Sequence, residues 1–251
     1  MKTTRTKETA MTAPAILVVG AGDATGGAIA RRFAREGFTA CVTRRTEEAL
    51  APLVERIQEE GGRARGFGCD ARDEDQMRAL VDTIEAEVGP LEVVVFNIGA
   101  NVNFPIRETT ARVYRKVWEM AAFAGFLTGR EAARVMVPRG RGTILFTGAT
   151  ASLRGGRGFS AFAGAKFALR ALAQSLAREL GPEGIHVAHP VIDGAIDTAF
   201  IRDNFPERYA LKDRDGILDP EHIADAYWML HQQPRDTWTH ELDLRPWMET
   251  F

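Results

Sequence analysis

Cysteine is almost missing from this 251-residue chain; Cys41 and Cys69 are the whole complement. Each lies in or at the end of an apolar stretch and reads as a small buried hydrophobe. There is no CxxC pair and no Cys/His cluster, which excludes a disulfide framework and a structural zinc site. Histidine is also sparse: His186, His189, His222, His231 and His240 are scattered, and none forms an HExxH pair. No metal is expected. Long apolar runs are absent too, and nothing approaches the ~18 residues needed to span a bilayer. An excess of positive charge is lacking: 32 Lys+Arg against 34 Asp+Glu leave −2, which argues against nucleic acid as a partner. The opening MKTTRTKETAMTAP has basic residues but no apolar core of a secretory signal. Residues 1–13 read as a disordered tail, Met11 as an alternative start, and the cytoplasm as the expected location.

What the chain does have is glycine: 24 residues, above the ~7% average. With 45% apolar and 26% charged residues the composition is that of a globular protein. Short β-rich runs alternate with helical patterns. Strands are expected at Ala15–Val19, Phe38–Thr43, Arg63–Cys69, Leu91–Phe96, Thr143–Phe146, Ile185–His189 and Leu242–Leu244. Helices are expected at Gly26–Glu36, from a Thr46 cap to about Glu60, at Asp73–Val88, from about Thr110 to Val137, at Gly158–Leu180 and at Glu221–His231. Strands apolar on both faces, alternating with helices, imply an α/β doubly wound parallel sheet of about seven strands with helices on both sides. No Pro/Gly-rich linker divides the chain, so residues 14–251 read as one domain.

The first strand runs into Gly20-Ala21-Gly22-Asp23-Ala24-Thr25-Gly26, which opens the first helix. Glycines let a backbone approach phosphate, and a helix N-terminus offers N–H groups and partial positive charge. Strand, glycine turn and helix in this order mark a pyrophosphate site. An NAD site wants an acid at the end of the second strand; this chain has Thr43-Arg44-Arg45. Arginines hold a 2′-phosphate through charge-assisted bonds. NADP(H) is therefore favoured, with NAD(H) still possible, since Asp23 in the turn opposes a phosphate.

These residues resemble the short-chain dehydrogenase/reductase family over about residues 14–247, which implies a Rossmann-type fold. The turn stands in the place of the family's TGxxxGxG, with Val19 for its threonine and Ala24 for its central glycine, an incomplete motif. Asp70, with Ala71, stands where the family has an acid near the adenine. Asn97 and Gly99 keep two positions of NNAG. Asp193-Gly194-Ala195-Ile196-Asp197-Thr198 resembles PGxIxT, which implies Gly194, Ile196 and Thr198 at the nicotinamide. The family's Asn-Ser-Tyr-Lys tetrad falls here on Ala121, Ala149, Phe162 and Lys166. Only Lys166 keeps its functional group, which implies an atypical subgroup with FxxxK. Phenylalanine has no O–H to exchange a proton, a loss of about 10²–10⁴-fold. Loss of the serine removes an oxyanion partner, often another ~10²-fold.

Substitute groups are sought nearby. Thr147, Thr150, Ser152, Ser160, Asn101 and Asn103 offer polar atoms, Arg154 and Arg157 suit an anionic substrate or stand as solvated loop charges, and Asp193 is a candidate acid or base. Residues 193–216 read as a lid. Trp228, Trp238 and Trp247 read either as core or as an oligomer surface, and the resemblance implies a homodimer or homotetramer. Three functions stay open: an oxidoreductase on a small carbonyl, alcohol or activated alkene; a catalytically inactive dinucleotide sensor or partner subunit; and a non-redox lyase or isomerase.

Overall fold

The computed structural model describes residues 13–250; the segment read as a tail lies, but for Ala13, outside them. The sheet is wholly parallel. β1 (Ala15–Val19) leads through α1 (Thr25–Arg35) to β2 (Thr39–Arg44), then α2 (Ala51–Glu59), β3 (Arg63–Gly68), α3 (Glu74–Glu87) and β4 (Leu91–Phe96). The second half carries α4 (Ala111–Trp118), α5 (Ala124–Met136), β5 (Gly142–Phe146), β6 (Gly148–Ala149), α6 (Ser160–Leu180) and β7 (Ile185–Ile192). The chain closes through α7 (Ala199–Asn204), α8 (Pro206–Tyr209), α9 (Pro220–Gln232) and β8 (Glu241–Leu244). Strand order is 3-2-1-4-5-7, with β6 and β8 each paired to β7.

The order reverses between β1 and β4, so Val19 pairs with Thr43 on one side and Phe96 on the other. Chain ends diverge there, and a crevice opens beyond the strand carboxyl ends. Helices cover both faces of the central strands, so β1 and β7 are buried at every residue; β1 is wholly apolar, while β7 also buries His186 and His189. One face packs Phe96, Phe146 and Leu169 with α3, α5 and α6; the other packs Phe33, Leu50 and Tyr227 with α1, α2 and α9. Among the described residues, no helix is long and apolar enough to cross a membrane.

Several boundaries differ from the sequence expectation, each for a local reason. There are eight strands rather than about seven, because Gly148–Ala149 pairs separately with Val191–Ile192. The third strand is not apolar on both faces: it is an edge, and Arg63 and Arg65 line it, as charges protect exposed edges. Thr46 does not cap the second helix. A 3₁₀ turn over Glu48–Leu50 intervenes, Pro52 sits in the first turn of α2, and Glu47 instead accepts the Gly68 N–H at 3.1 Å. Asp73 does cap α3, accepting from the Gln76 N–H at 3.0 Å while the Gln76 amide returns to it at 2.9 Å. The expected single helix from 110 to 137 is interrupted by a π turn at Glu119–Phe123. Such turns widen a helix locally and recur at functional sites.

The tryptophans divide. Trp228 packs edge-on to Phe33 at 5.1 Å at the margin of the core, and Trp238, also half-buried, stacks on His186 at 4.9 Å. Trp247 is 72% exposed. Cys41 and Cys69 are free and buried, and burial pushes the Cys69 thiol up to about 11.

Candidate functional site

The glycine turn is built by steric necessity. Gly20 has φ +86°, and a Cβ there would stand 2.9 Å from Ile98 Cγ1. A Cβ on Gly26 would meet the Gly20 carbonyl oxygen at 2.8 Å and Ala21 Cα at 2.9 Å, so the first turn of α1 must be bare where it crosses the strand end. The Asn97 amide donates to the Gly20 carbonyl at 3.2 Å, tying the β1 turn to the end of β4. Gly22 differs: its Cβ would find only Arg44 Nη2 at 3.8 Å, because this residue borders open space. Ala24 precedes α1 without a side-chain cap, and Thr25 is buried in the first turn.

That open space is a cavity of about 320 Å³ over the ends of β1, β2 and β4. It gathers Gly20, Gly22, Arg44, Arg45, Asp70, Ala71, Asn97 and Gly99 from four separate loops. Asp23 is exposed and is not among the lining residues. Arg72, Ile98 and Met120 also line the cavity, and sequence reasoning did not single them out. Arg72 had a signal, its spacing of two from Asp70. Met120 had none, since only the π turn brings it over the crevice. Arg72 grips the Asp70 carboxylate from its Nε at 2.9 Å and Nη2 at 2.5 Å, which holds the carboxyl below its usual range.

Lys166 is 2% exposed on α6. Its Nζ donates to the Thr147 carbonyl at 2.8 Å and the Ile98 carbonyl at 3.2 Å, just beyond β5 and β4. Burial lowers its pKa to about 8, because desolvation penalises the ammonium. The ammonium stands 5.9 Å from the centre of the Phe162 ring. Phe162, Ala121 and Ala149 come together with Val117, Ala151 and Phe159 in one apolar cluster. The three positions that lack polar groups in the sequence are therefore neighbours in space, and they make an apolar wall. Ala100 beside them holds φ +81°, a strained conformation for a residue with a Cβ.

The hydroxyls around Ala149 are mostly engaged elsewhere. Thr147 Oγ1 shares a 2.8 Å bond with the buried Tyr227 hydroxyl. Ser152 Oγ accepts the Ala149 N–H at 3.1 Å. Thr150 donates to Asp193 at 2.5 Å, and Arg154 reaches the same carboxylate at 3.3 Å. Ser160 Oγ is buried without a hydrogen-bond partner among the described residues. The Asn103 amide donates to the Arg157 carbonyl at 3.4 Å, while Asn101 is exposed.

The segment expected at the nicotinamide lies apart from the cavity lining. Gly194 passes against Pro246, Ile196 bridges to Leu218, and Thr198 Oγ1 accepts from Ile201 N at 3.1 Å as the cap of α7. Beyond it, Phe200 in α7 and Phe205 between α7 and α8 are exposed, and Lys212 pairs with Asp197 at 2.7 Å.

A doubly wound α/β domain with a nucleotide-type crevice at its switch point is the class that this fold and site define. Comparison sharpens the class. The short chain dehydrogenase family profile matches residues 14–208, and the chain belongs to that family. It is 32% identical over 202 residues to the short-chain reductase protein NovJ of Streptomyces niveus, covering 80% of this chain and 76% of that one. A short-chain dehydrogenase structure from Rhodopseudomonas palustris is 52% identical, covers 93% of this chain and 99% of that chain, and has a TM-score of 0.80. Two more distant structures share the fold. One is a metagenomic short-chain oxidoreductase solved with NADP (24% identity, covering 95% of this chain and 99% of that one, TM-score 0.79). The other is a single-residue variant of the actinorhodin polyketide ketoreductase solved with NADPH (23% identity, covering 93% and 96%, TM-score 0.85).

Proposed function

We propose that the protein is an NADP(H)-linked oxidoreductase of an atypical FxxxK kind, acting on a small carbonyl, alcohol or activated alkene without a tyrosine acid. The observation that carries the reading is the cavity itself. Arg44 and Arg45 line it at the end of β2, where an NAD site would place an acid. Distant relatives of the same fold bind NADP or NADPH, which supports the preference.

The cavity fits such a cofactor. Gly22 leaves room for phosphate, Arg44 and Arg45 offer planar guanidinium donors, and Asp70 and Ala71 border the adenine side. Outside the cavity lining, the family resemblance assigns Lys166 to the nicotinamide ribose and Gly194, Ile196 and Thr198 to the amide side. When bound, the nicotinamide supplies a hydride. The chain's own residues position the substrate: Phe162, Ala121 and Ala149 offer it an apolar face and have no proton to donate. The proton on the product comes from solvent, which suits activated alkenes whose charge spreads away from the reacting carbon. A second reading rests on the same apolar cluster: a cofactor-binding sensor or partner subunit without turnover.

Assembly as a homodimer or homotetramer is part of the proposal. Tyr114 and Trp118 of α4, Phe126 of α5 and Phe167 of α6 are exposed apolar residues suited to contact with a second copy. The test is NADPH consumption with a panel of carbonyls and activated alkenes, wild type beside Phe162→Tyr/Ala149→Ser. Turnover of activated alkenes by the wild type, with carbonyl reduction raised at least tenfold in the double variant, is expected. No consumption by either protein, with NADPH still bound, selects the sensor.

A further inference from the structure

Resting on the oxidoreductase reading, the geometry points to its substrate class: we propose that Arg154, held by Asp193, binds the carboxylate of an organic acid whose apolar body packs on the Phe162 cluster. Three observations carry this. First, one short turn joins the two features. In the 3₁₀ turn Thr150–Ser152, Ala151 enters the apolar cluster while Thr150 points its hydroxyl at Asp193. The Arg154 N–H donates to the Thr150 carbonyl at 3.1 Å, which fixes the arginine one turn further on.

Second, Asp193 is a buried anchor. It is 1% exposed, and its N–H donates to the Leu244 carbonyl at 2.8 Å. Its two oxygens receive Arg154 Nη1 at 3.3 Å and Nη2 at 3.4 Å, with Thr150 Oγ1 at 2.5 Å on the same oxygen as Nη2. A carboxylate buried this deeply requires a cation, so Arg154 is oriented from behind.

Third, the guanidinium is not used up. Its side chain is 40% exposed, and the two long contacts engage two of five donor hydrogens. The remaining donors match the flat, two-oxygen face of a carboxylate better than a lysine would. Arg157, exposed in the same loop, pairs with no carboxylate among the described residues. Arg154 and Arg157 against Asp193 leave the loop one positive charge, which attracts an anion.

The test is calorimetric titration of the NADP-saturated protein with trans-cinnamate and with its uncharged amide. Cinnamate is expected to bind at least tenfold more tightly. Arg154→Gln removes that preference, while Arg157→Gln lowers it less than threefold. Equal binding of acid and amide, binding of neither, or an undiminished preference in Arg154→Gln overturns the assignment. NADPH fluorescence of Arg154→Gln is measured alongside. Wild-type affinity there places any failure on the carboxylate subsite, whereas a wild type that binds no NADPH fails the oxidoreductase reading instead.

Discussion

Replacing Gly22 and Gly26 by alanine, one at a time, separates folding from cofactor binding within a single turn. A Cβ on Gly26 meets backbone at 2.8 and 2.9 Å and Asn97 Nδ2 at 3.0 Å. The two shortest contacts are backbone and Asn97 is tied to the Gly20 carbonyl, so the turn must shift and the Asn97–Gly20 bond is strained. Overpacking of this kind costs about 1–3 kcal/mol. At about 2–4 °C per kcal/mol for a chain of this size, Gly26→Ala lowers Tm by roughly 2–12 °C. Gly22 offers the opposite case, since its Cβ touches nothing closer than 3.8 Å. Gly22→Ala therefore leaves Tm within about 1 °C, but puts a methyl group on the cavity wall where phosphate must approach. A loss of at least tenfold in NADPH affinity follows, about 1.4 kcal/mol. Thermal scans and NADPH fluorescence titration on the same preparations read both quantities. A Gly22→Ala protein that binds NADPH as the wild type does, or a Gly26→Ala protein with unchanged Tm, refutes this account of the turn.

Tyr227→Phe leaves Thr147 Oγ1 without its buried partner; a cost of about 1–3 kcal/mol is expected, read as the shift in urea midpoint at constant slope. His231 is wedged against Phe33, Phe38 and Trp228, and burial lowers its pKa from 6.5 to about 4. The unfolded chain takes up this proton first, so the contribution is complete above pH 6.5 and is lost as pH falls toward 4. Urea titrations over that window should show at most about 3 kcal/mol from this group, and a shallower slope in His231→Gln. A stability independent of pH across that window contradicts the burial of His231.

Much of this was legible in the chain. β1 begins and ends where AILVV does, and β4 where LEVVVF does, because a strand covered on both faces must be largely apolar; Glu92 is the exception in β4, and Arg141 pairs it at 2.9 Å. The Arg44-Arg45 pair stood out by its place at the end of the second strand and borders the cavity, whereas Lys166 was singled out only by the family resemblance. What escaped was set by contacts distant in sequence. The π turn over Glu119–Phe123 has no compositional mark, and Met120 reaches the cavity only through it. The link between Thr150, Asp193 and Arg154 spans 43 residues and exists because β7 lies beside β6. Likewise the apolar cluster follows from three separate helices and loops, although each lost polar group was readable alone.

Under the proposed function, Arg44 and Arg45 make the cavity an NADP(H) site. The most direct measurement is the dissociation constant for NADPH and NADH, in the wild type and in Arg44→Ala/Arg45→Ala. Hydrogen bonds to charged groups contribute about 1.5–3 kcal/mol each, so the wild type should prefer NADPH by at least tenfold and the variant should lose that preference with NADH affinity little changed. Equal affinity for both cofactors in the wild type, or an NADPH preference that survives loss of both arginines, would contradict it.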